Sequence, residues 1–474
     1  MGFTRSVVLK FLSLMSKIIR SRTRHFTQGT AIAIVLLAVP LLKGQSSLTL
    51  PENTLPLLQQ QLEAAMQSSP TMIIRQANTA ATLADFQGSK SSRYPSLGGW
   101  ANYLRAEDDR NNAIGGARPA TKLGYNFTIR KSLYHWGNLE RGIENAKIQT
   151  LIDQGNTRAA YMTLAADIRR EFLELISGKQ RLEKHRYAFQ INKERLRETQ
   201  EKREQNLVSA ADLFRTNLAF QRSELSVAES RDQLDHALRV FGRLTGEPPL
   251  TEAQIPTEFA APPFEQQEEI LVAMATRFLA TEMPENSAIQ IAKHYITLSE
   301  NELKNNRNSL RPQFDLLAGI SQDEQDFALD TDSYEFQSIF GGVSMSWNLF
   351  DGFATRNRVK SSLARLRASE LQLELQQEAL IDNVRSLGRE IKHKGMALHI
   401  QEQELQSSRS HLEYTQELAG RGEASAADVD SAFIGLQDSL SIALYIRYEY
   451  WNKLSEFLGL IEADPVLNRA PPLN

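Results

Sequence analysis

The 474-residue chain has no cysteine. That excludes disulfides, thiolate nucleophiles, Cys-bound metals and a lipidated N-terminal Cys. Catalytic signatures are missing too: there is no H-E-x-x-H, no G-x-S-x-G and no phosphate-binding loop. The eight histidines, at 25, 135, 185, 236, 294, 393, 399 and 411, are scattered. The chain is therefore read as a non-enzyme without metal or other cofactor, and His135, at a strand–helix junction, as structural. Beyond the N-terminus no apolar run is long enough for a transmembrane helix. Proline is absent between Pro119 and Pro248 and again between Pro312 and Pro465. Because proline breaks helix interiors, both windows are free to be helical.

The N-terminus differs from the rest. Ala31–Leu42 is a short apolar run preceded by Arg20, Arg22 and Arg24. This pattern predicts a secretory signal peptide over 1–45, cleaved near 44–47; the other reading is an uncleaved anchor. The segment carries basic residues and no acid, so its removal leaves the mature chain acidic, given 54 Lys and Arg against 57 Asp and Glu overall. Nucleic-acid binding is thereby disfavoured, since phosphate contacts need a basic surface.

What the chain does contain is a repetition. "VSAADL" at 208–213 returns as "ASAADV" at 424–429, an offset of 216 residues. Apolar residues recur every seventh position at Ile168, Leu175, Leu182, Phe189 and Leu196, and at Val384, Ile391, Leu398, Leu405 and Leu412, with the same offset. After each motif a second ladder begins: Leu213, Phe220, Val227, Leu234, Phe241, and Val429, Leu436, Ala443, Tyr450, Phe457. Sustained seven-residue repeats mark helices packed as left-handed coiled coils, and four ladders in matched register argue for internal duplication. The two motifs then fall at the turns of two helical hairpins. Ser209 and Ser425 are candidate N-caps, as are Asp212 and Asp428. Gly420 and Gly422 suit the preceding helix end, and Asn206, in the first copy, also tolerates a left-handed backbone. The descending helices, from about Asn138 to Gln205 and from about Ala354 to Ala419, would each be on the order of 100 Å long.

Before each long helix lies a pair of alternating segments. Leu123, Tyr125, Phe127 and Ile129 alternate with Gly124, Asn126 and Thr128; Val343, Met345, Trp347 and Leu349 alternate with Ser344, Ser346 and Asn348. Their upstream partners are 94–107 and 312–322, followed by polar loops. Period two predicts strands, here one β-hairpin per copy with strands of about ten residues. The alternation alone fits either outer-membrane barrel strands or a soluble hairpin on a core. The absence of another sheet to pack on favours the barrel, and four strands cannot close one.

At this point the chain resembles the TolC family of outer-membrane efflux and secretion channels. The resemblance spans about 54–462. It rests on "SMSWNLFDGFATRNRVKSSLARLRASELQLELQQ" (344–377), "IRKSLYHWGNLERGIENAKIQ" (129–149), "RPQFDLLAG" (311–319), the hairpin turns, and a proline (Pro95, Pro312) opening the first strand of each pair. The first copy has Leu133-Tyr-His-Trp-Gly137 where the second has Leu349-Phe-Asp-Gly352, and so departs from the family's Leu-Phe-(Asp/Asn)-Gly. The resemblance implies a mainly α protein with a β-barrel portion: a homotrimer sharing a twelve-stranded outer-membrane barrel above a periplasmic helical tunnel. The organisation expected is a first repeat over 46–246 (hairpins 93–134 and 138–246), an equatorial region over 247–283, a second repeat over 284–462 (hairpins 311–350 and 354–461), and a tail over 463–474. It implies a passive exit duct serving a periplasmic adaptor and an inner-membrane transporter. Adaptor docking would use the hairpin tips, Asn206, Leu207, Val208, Ser209 and Asp212 with Gly422, Ser425 and Asp428; the same residues are also read as plain helix caps. Glu413 and Glu417, spaced i, i+4 just above Gly422, would face a pore constriction or else a solvated helix surface. A rival reading is a soluble periplasmic coiled-coil adaptor or tether.

Overall fold

Proline opens each of the N-terminal helices, at a position where its missing N–H has no partner to lose. The computed structural model describes residues 48–108, 118–281, 284–326 and 333–468; the expected signal peptide, parts of the strand loops and the end of the C-terminal tail lie outside them. After a single turn at Pro51–Thr54 come α1 (Pro56–Ser68) and α2 (Pro70–Ser89). Strands β1 (Ser96–Asp108) and β2 (Arg118–Tyr134) follow, then α3 (Asn138–Glu204) and α4 (Ala210–Thr245). A connecting stretch leads to α5 (Phe264–Leu279). The second half repeats the order: α6 (Ser287–Asn308), β3 (Gln313–Asp326), β4 (Ser333–Ser346), α7 (Ala354–Gly420) and α8 (Ala426–Leu460).

The two long helices, α3 and α7, have 67 residues each. Each packs against two shorter helices in succession: α3 against α2 and α4, α7 against α6 and α8. α3 also packs against α8, which sets the two hairpins side by side. The seven-residue ladders lie in these seams. Val384, Ile391, Leu398 and Leu405 are buried, as are Ile168, Leu175, Leu182, Ala443, Tyr450 and Phe457. Toward the first tip Phe189 and Leu196 are half-buried, and no rung of any ladder is exposed. Aromatic pairs bridge the seams, Phe189 with Phe220 at 5.3 Å within the first hairpin and Tyr187 with Phe433 at 4.1 Å between the hairpins.

Buried cations tie the first and last described segments and the connecting segment to this frame. Arg169 on α3 donates to both oxygens of Glu52 (2.9 and 2.6 Å) and to both of Asp464 (2.5 and 3.0 Å). Burial works against its charge, but the Asp464 and Glu52 carboxylates outweigh that and push its pKa up. Arg447 on α8 grips Glu402 of α7 with two hydrogen bonds (2.7 and 2.8 Å) and donates to the carbonyl of Phe259.

The four strands form one antiparallel sheet in the order β1-β2-β3-β4. They have 13, 17, 14 and 14 residues, longer than the ten expected. Ladder pairing continues past the alternating segments, Gln322 opposite Gln337 and Asp323 opposite Phe336, where the side-chain pattern no longer signals a strand. α5 is the other departure: a helix lies within a proline-rich stretch read only as a belt.

Candidate functional site: the sheet and the hairpin tips

Residues directly opposite in an antiparallel pair share a face. The register therefore lines up Leu97 with Ile129, Ala318 and Gly341, and Gly99 with Phe127, Ile320 and Ile339. On this face Leu97, Tyr103, Leu123, Phe127, Leu316, Ile320, Ile339, Val343 and Met345 are all exposed, Tyr103 to 74% and Ile339 to 71%. Gly99 lies beneath the Phe127 ring, which fills the space a side chain would take. The opposite face carries Gly98, Asn102, Gly124, Asn126, Thr128, Asp315, Gly319, Ser321, Ser338 and Ser344, together with Trp100, Leu104, Leu317 and Phe340. Trp100 rests against Gly124 and Phe340 against Gly319. β1 and β4 each leave one edge without a strand partner among the described residues.

Each strand-to-helix junction needs two successive left-handed residues. In the second copy they are Gly352 (φ 64°) and Phe353 (φ 66°); in the first, Trp136 (φ 56°) and Gly137 (φ 76°). A non-glycine residue in this region stores strain and needs compensation from its surroundings. Trp136 receives it: its Nε1 donates to Pro312 O at 2.8 Å, its ring packs on Tyr134 at 4.9 Å, and the Arg311 guanidinium sits 4.6 Å from its centre. Its carbonyl accepts from Arg141 and Asn308. His135 Nε2 lies 3.0 Å from Asp315 Oδ1 on β3. At the matching place Asp351 accepts from the Thr355 amide at 2.8 Å, and the hydrogen bond from the Thr355 hydroxyl, above all, holds its carboxyl below the usual range.

At the far ends of the long helices the two tips are built alike. α3 closes with Leu207 N–H donating to Lys202 O and Asn206 N–H to Arg203 O. α7 closes with Glu423 N–H to Leu418 O and Gly422 N–H to Ala419 O. Both are Schellman caps, with Asn206 (φ 56°) and Gly422 (φ 76°) in the left-handed position; Gly420 lies inside the helix and does not take it. The following helices start on Ser209 and Ser425, whose hydroxyls accept from the Asp212 and Asp428 amides. The aspartates are thus not caps themselves: each sits three residues on and reaches back to the serine's N–H and hydroxyl. The serine hydroxyls, foremost among the causes, hold both carboxyls below their ordinary pKa.

The docking candidates therefore occupy two compact turns, with Leu207 exposed and Val208 half-buried. Arg203, missed in the sequence, donates to Val208 O at 2.9 Å and braces the first turn. Phe214 and Tyr414 are exposed beside the tips; as large apolar residues outside the ladders, both were readable. Glu413 and Glu417 are exposed on α7 of the single chain, and Glu417 is paired with Arg421, which sequence reasoning also missed.

Residues 282–456 match the family model described as outer membrane efflux protein. Among solved structures the chain is similar to the CmeC outer membrane channel of Campylobacter jejuni, with a TM-score of 0.63 and 14% identity over 86% of this chain and 85% of that one. It is also similar to VceC of Vibrio cholerae (0.61, 13%, covering 87% and 97%). The open state of the MtrE outer membrane channel of Neisseria gonorrhoeae gives 0.61 and 13%, covering 85% and 88%. No curated protein matches the chain. At these identities the solved structures speak for the fold. Two long helical hairpins under one four-stranded sheet are the fold of these channels, and the second half of the chain, residues 282–456, is similar to the outer membrane efflux protein family.

Proposed function

We propose that three copies of this chain form a passive exit duct running through the outer membrane and down into the periplasm. The observation that carries the reading is the sheet: one continuous apolar face, a largely small and polar opposite face, and two unpaired edges. Open edges are not tolerated in lipid, so a four-stranded sheet must be completed by other strands. Three copies supply twelve, an even number within the range of such barrels. The apolar face meets lipid and the polar face lines the lumen. The long helices carry the tunnel about 100 Å below the barrel, residues 247–283 gird it, and its far end is the hairpin tips.

In this reading the tips (Asn206, Leu207, Val208, Ser209, Asp212, Gly422, Ser425 and Asp428) receive a periplasmic adaptor, and an inner-membrane transporter supplies the energy. Both small-molecule efflux and type I secretion fit a passive duct. Three Glu413–Glu417 pairs converging on the axis make the cation-binding constriction. The exposed apolar band speaks against the soluble tether. Purified protein added to a planar lipid bilayer is expected to give discrete conductance steps. Protein that inserts without conducting would overturn the duct.

A further inference from the structure

The connecting segment carries a second feature, away from the sheet and the tips. Helix α5 packs along α7 and leaves between them a groove of about 330 Å³. That size is at the lower end of small-molecule pockets and suits a single alkyl chain rather than a helix. Its walls are apolar: Leu271 and Leu279 from α5, Val384 and Ile391 from α7, with Phe457 of α8 behind them. Leu271, Val384, Ile391 and Phe457 are buried, so the floor is apolar.

The rim is cationic. Arg385, Arg389 and Lys392 line it, at spacings that put all three along one side of α7, against the single carboxylate of Glu268. Lys392 pairs with Glu268 at 3.0 Å. Arg385 has only a distant partner in Asp382, at 3.9 Å, and the Arg389 side chain makes no hydrogen bond or ion pair among the described residues. Two guanidinium groups beside an apolar slot therefore stand ready for an anion.

Gly388 shows what keeps the slot open. Glycine inside a helix costs about 0.5–1 kcal/mol relative to alanine. At Gly395, two turns on, the glycine is required, because an added Cβ would overlap the Phe264 ring. At Gly388 an added Cβ would meet nothing within 4 Å, so packing does not demand the glycine there. Its missing side chain is empty volume in the wall of the groove.

We infer that this groove binds a single-chain amphiphile with an anionic head, a long-chain carboxylate, its tail between α5 and α7 and its head on Arg385 and Arg389. The site lies on the helical part and does not need a conducting duct; its assay rests on the proposed function only in requiring a chain that inserts into lipid discs. The test is calorimetric titration of the full chain in detergent-free discs of zwitterionic lipid, with empty discs subtracted. The probes are dodecanoate and, as a cationic counterpart, dodecyltrimethylammonium. Dodecanoate is expected to saturate one site per chain and to bind at least about tenfold tighter than the cation, because charge-assisted hydrogen bonds to the guanidinium groups are lost with the latter. Gly388→Leu fills the slot and should abolish the site while keeping or raising the melting temperature, since leucine is the better helix former. Arg385→Gln with Arg389→Gln should weaken dodecanoate several-fold without affecting the fold. Dodecanoate uptake no greater than that of empty discs, equal binding of the two head groups, or Gly388→Leu binding like the unaltered chain would each overturn the site.

Discussion

Asn206 stands where the second copy has Gly422, and both backbones are left-handed. The departure from glycine at the first tip therefore leaves its geometry intact; asparagine reaches this region more readily than other side chains. The serine–aspartate boxes that follow give each tip a second constraint. Ser425→Ala removes a cap typically worth about 1 kcal/mol. It should speed amide exchange in the first turn of α8 and leave the first turn of α4 unchanged; equal exchange in both would deny the cap its role. Asp212 and Asp428 have depressed pKa values in the folded tips. Their contribution is present above the ordinary carboxylate pKa of about 4 and is lost as pH falls through the depressed values. Protection of the tip amides, after correction for the intrinsic pH dependence of exchange, should therefore fall only in acid. Glu417 shares its charge with Arg421, whereas Glu413 has no ion-pair partner among the described residues. If both face the lumen, Glu413→Ala should relieve block by divalent cations more than Glu417→Ala does. Single-channel recordings with no change for either variant would return them to the outer surface.

The helices and strands were the most legible level. Long proline-free windows and four seven-residue ladders at a common offset placed α3, α4, α7 and α8, because coiled-coil packing writes its period directly into the chain. The β-hairpins were legible through alternation, but not their full length, since polar ladder ends such as Gln322–Gln337 pair through backbone alone. α5 was obscured by Pro248, Pro249, Pro256, Pro262 and Pro263 around it. Its own apolar spacing, Leu271, Met274, Ala275 and Phe278, was there to be read. The junction at Trp136 was seen only as a departure. That a tryptophan could hold a left-handed backbone depends on Pro312 and Arg311, brought there by the fold. In the proposed duct, the tip is the element on which docking would turn. Asp428→Arg reverses its charge and removes an acceptor from the cap, while Asp428→Asn keeps an acceptor. Export should be lost in the first and largely retained in the second, with the assembly intact in both. Normal export by Asp428→Arg would reduce the tips to plain helix caps.

Over the whole molecule, one buried arginine joins what the sequence separates. Arg169 links Glu52, near the start of the described chain, and Asp464, near its end, to the middle of α3. Removing one partner from a buried ion cluster strands the others. Arg169→Met should therefore cost about 3–5 kcal/mol, read by thermal unfolding. Combining it with Glu52→Gln and Asp464→Asn should recover most of that loss; failure to recover would mean that packing, not charge, sets the cost. The ladders and the alternation were visible in one chain, but the proposed closure of the sheet would be a property of several, and no single chain can display it. The central claim is that closure, and the most direct test is the mass of the protein extracted from membranes, corrected for bound detergent by light scattering on a sizing column. Three polypeptide masses in one particle is the expected result. A monomer that stays in solution without detergent would contradict the shared barrel and leave the apolar face of the sheet to a soluble partner.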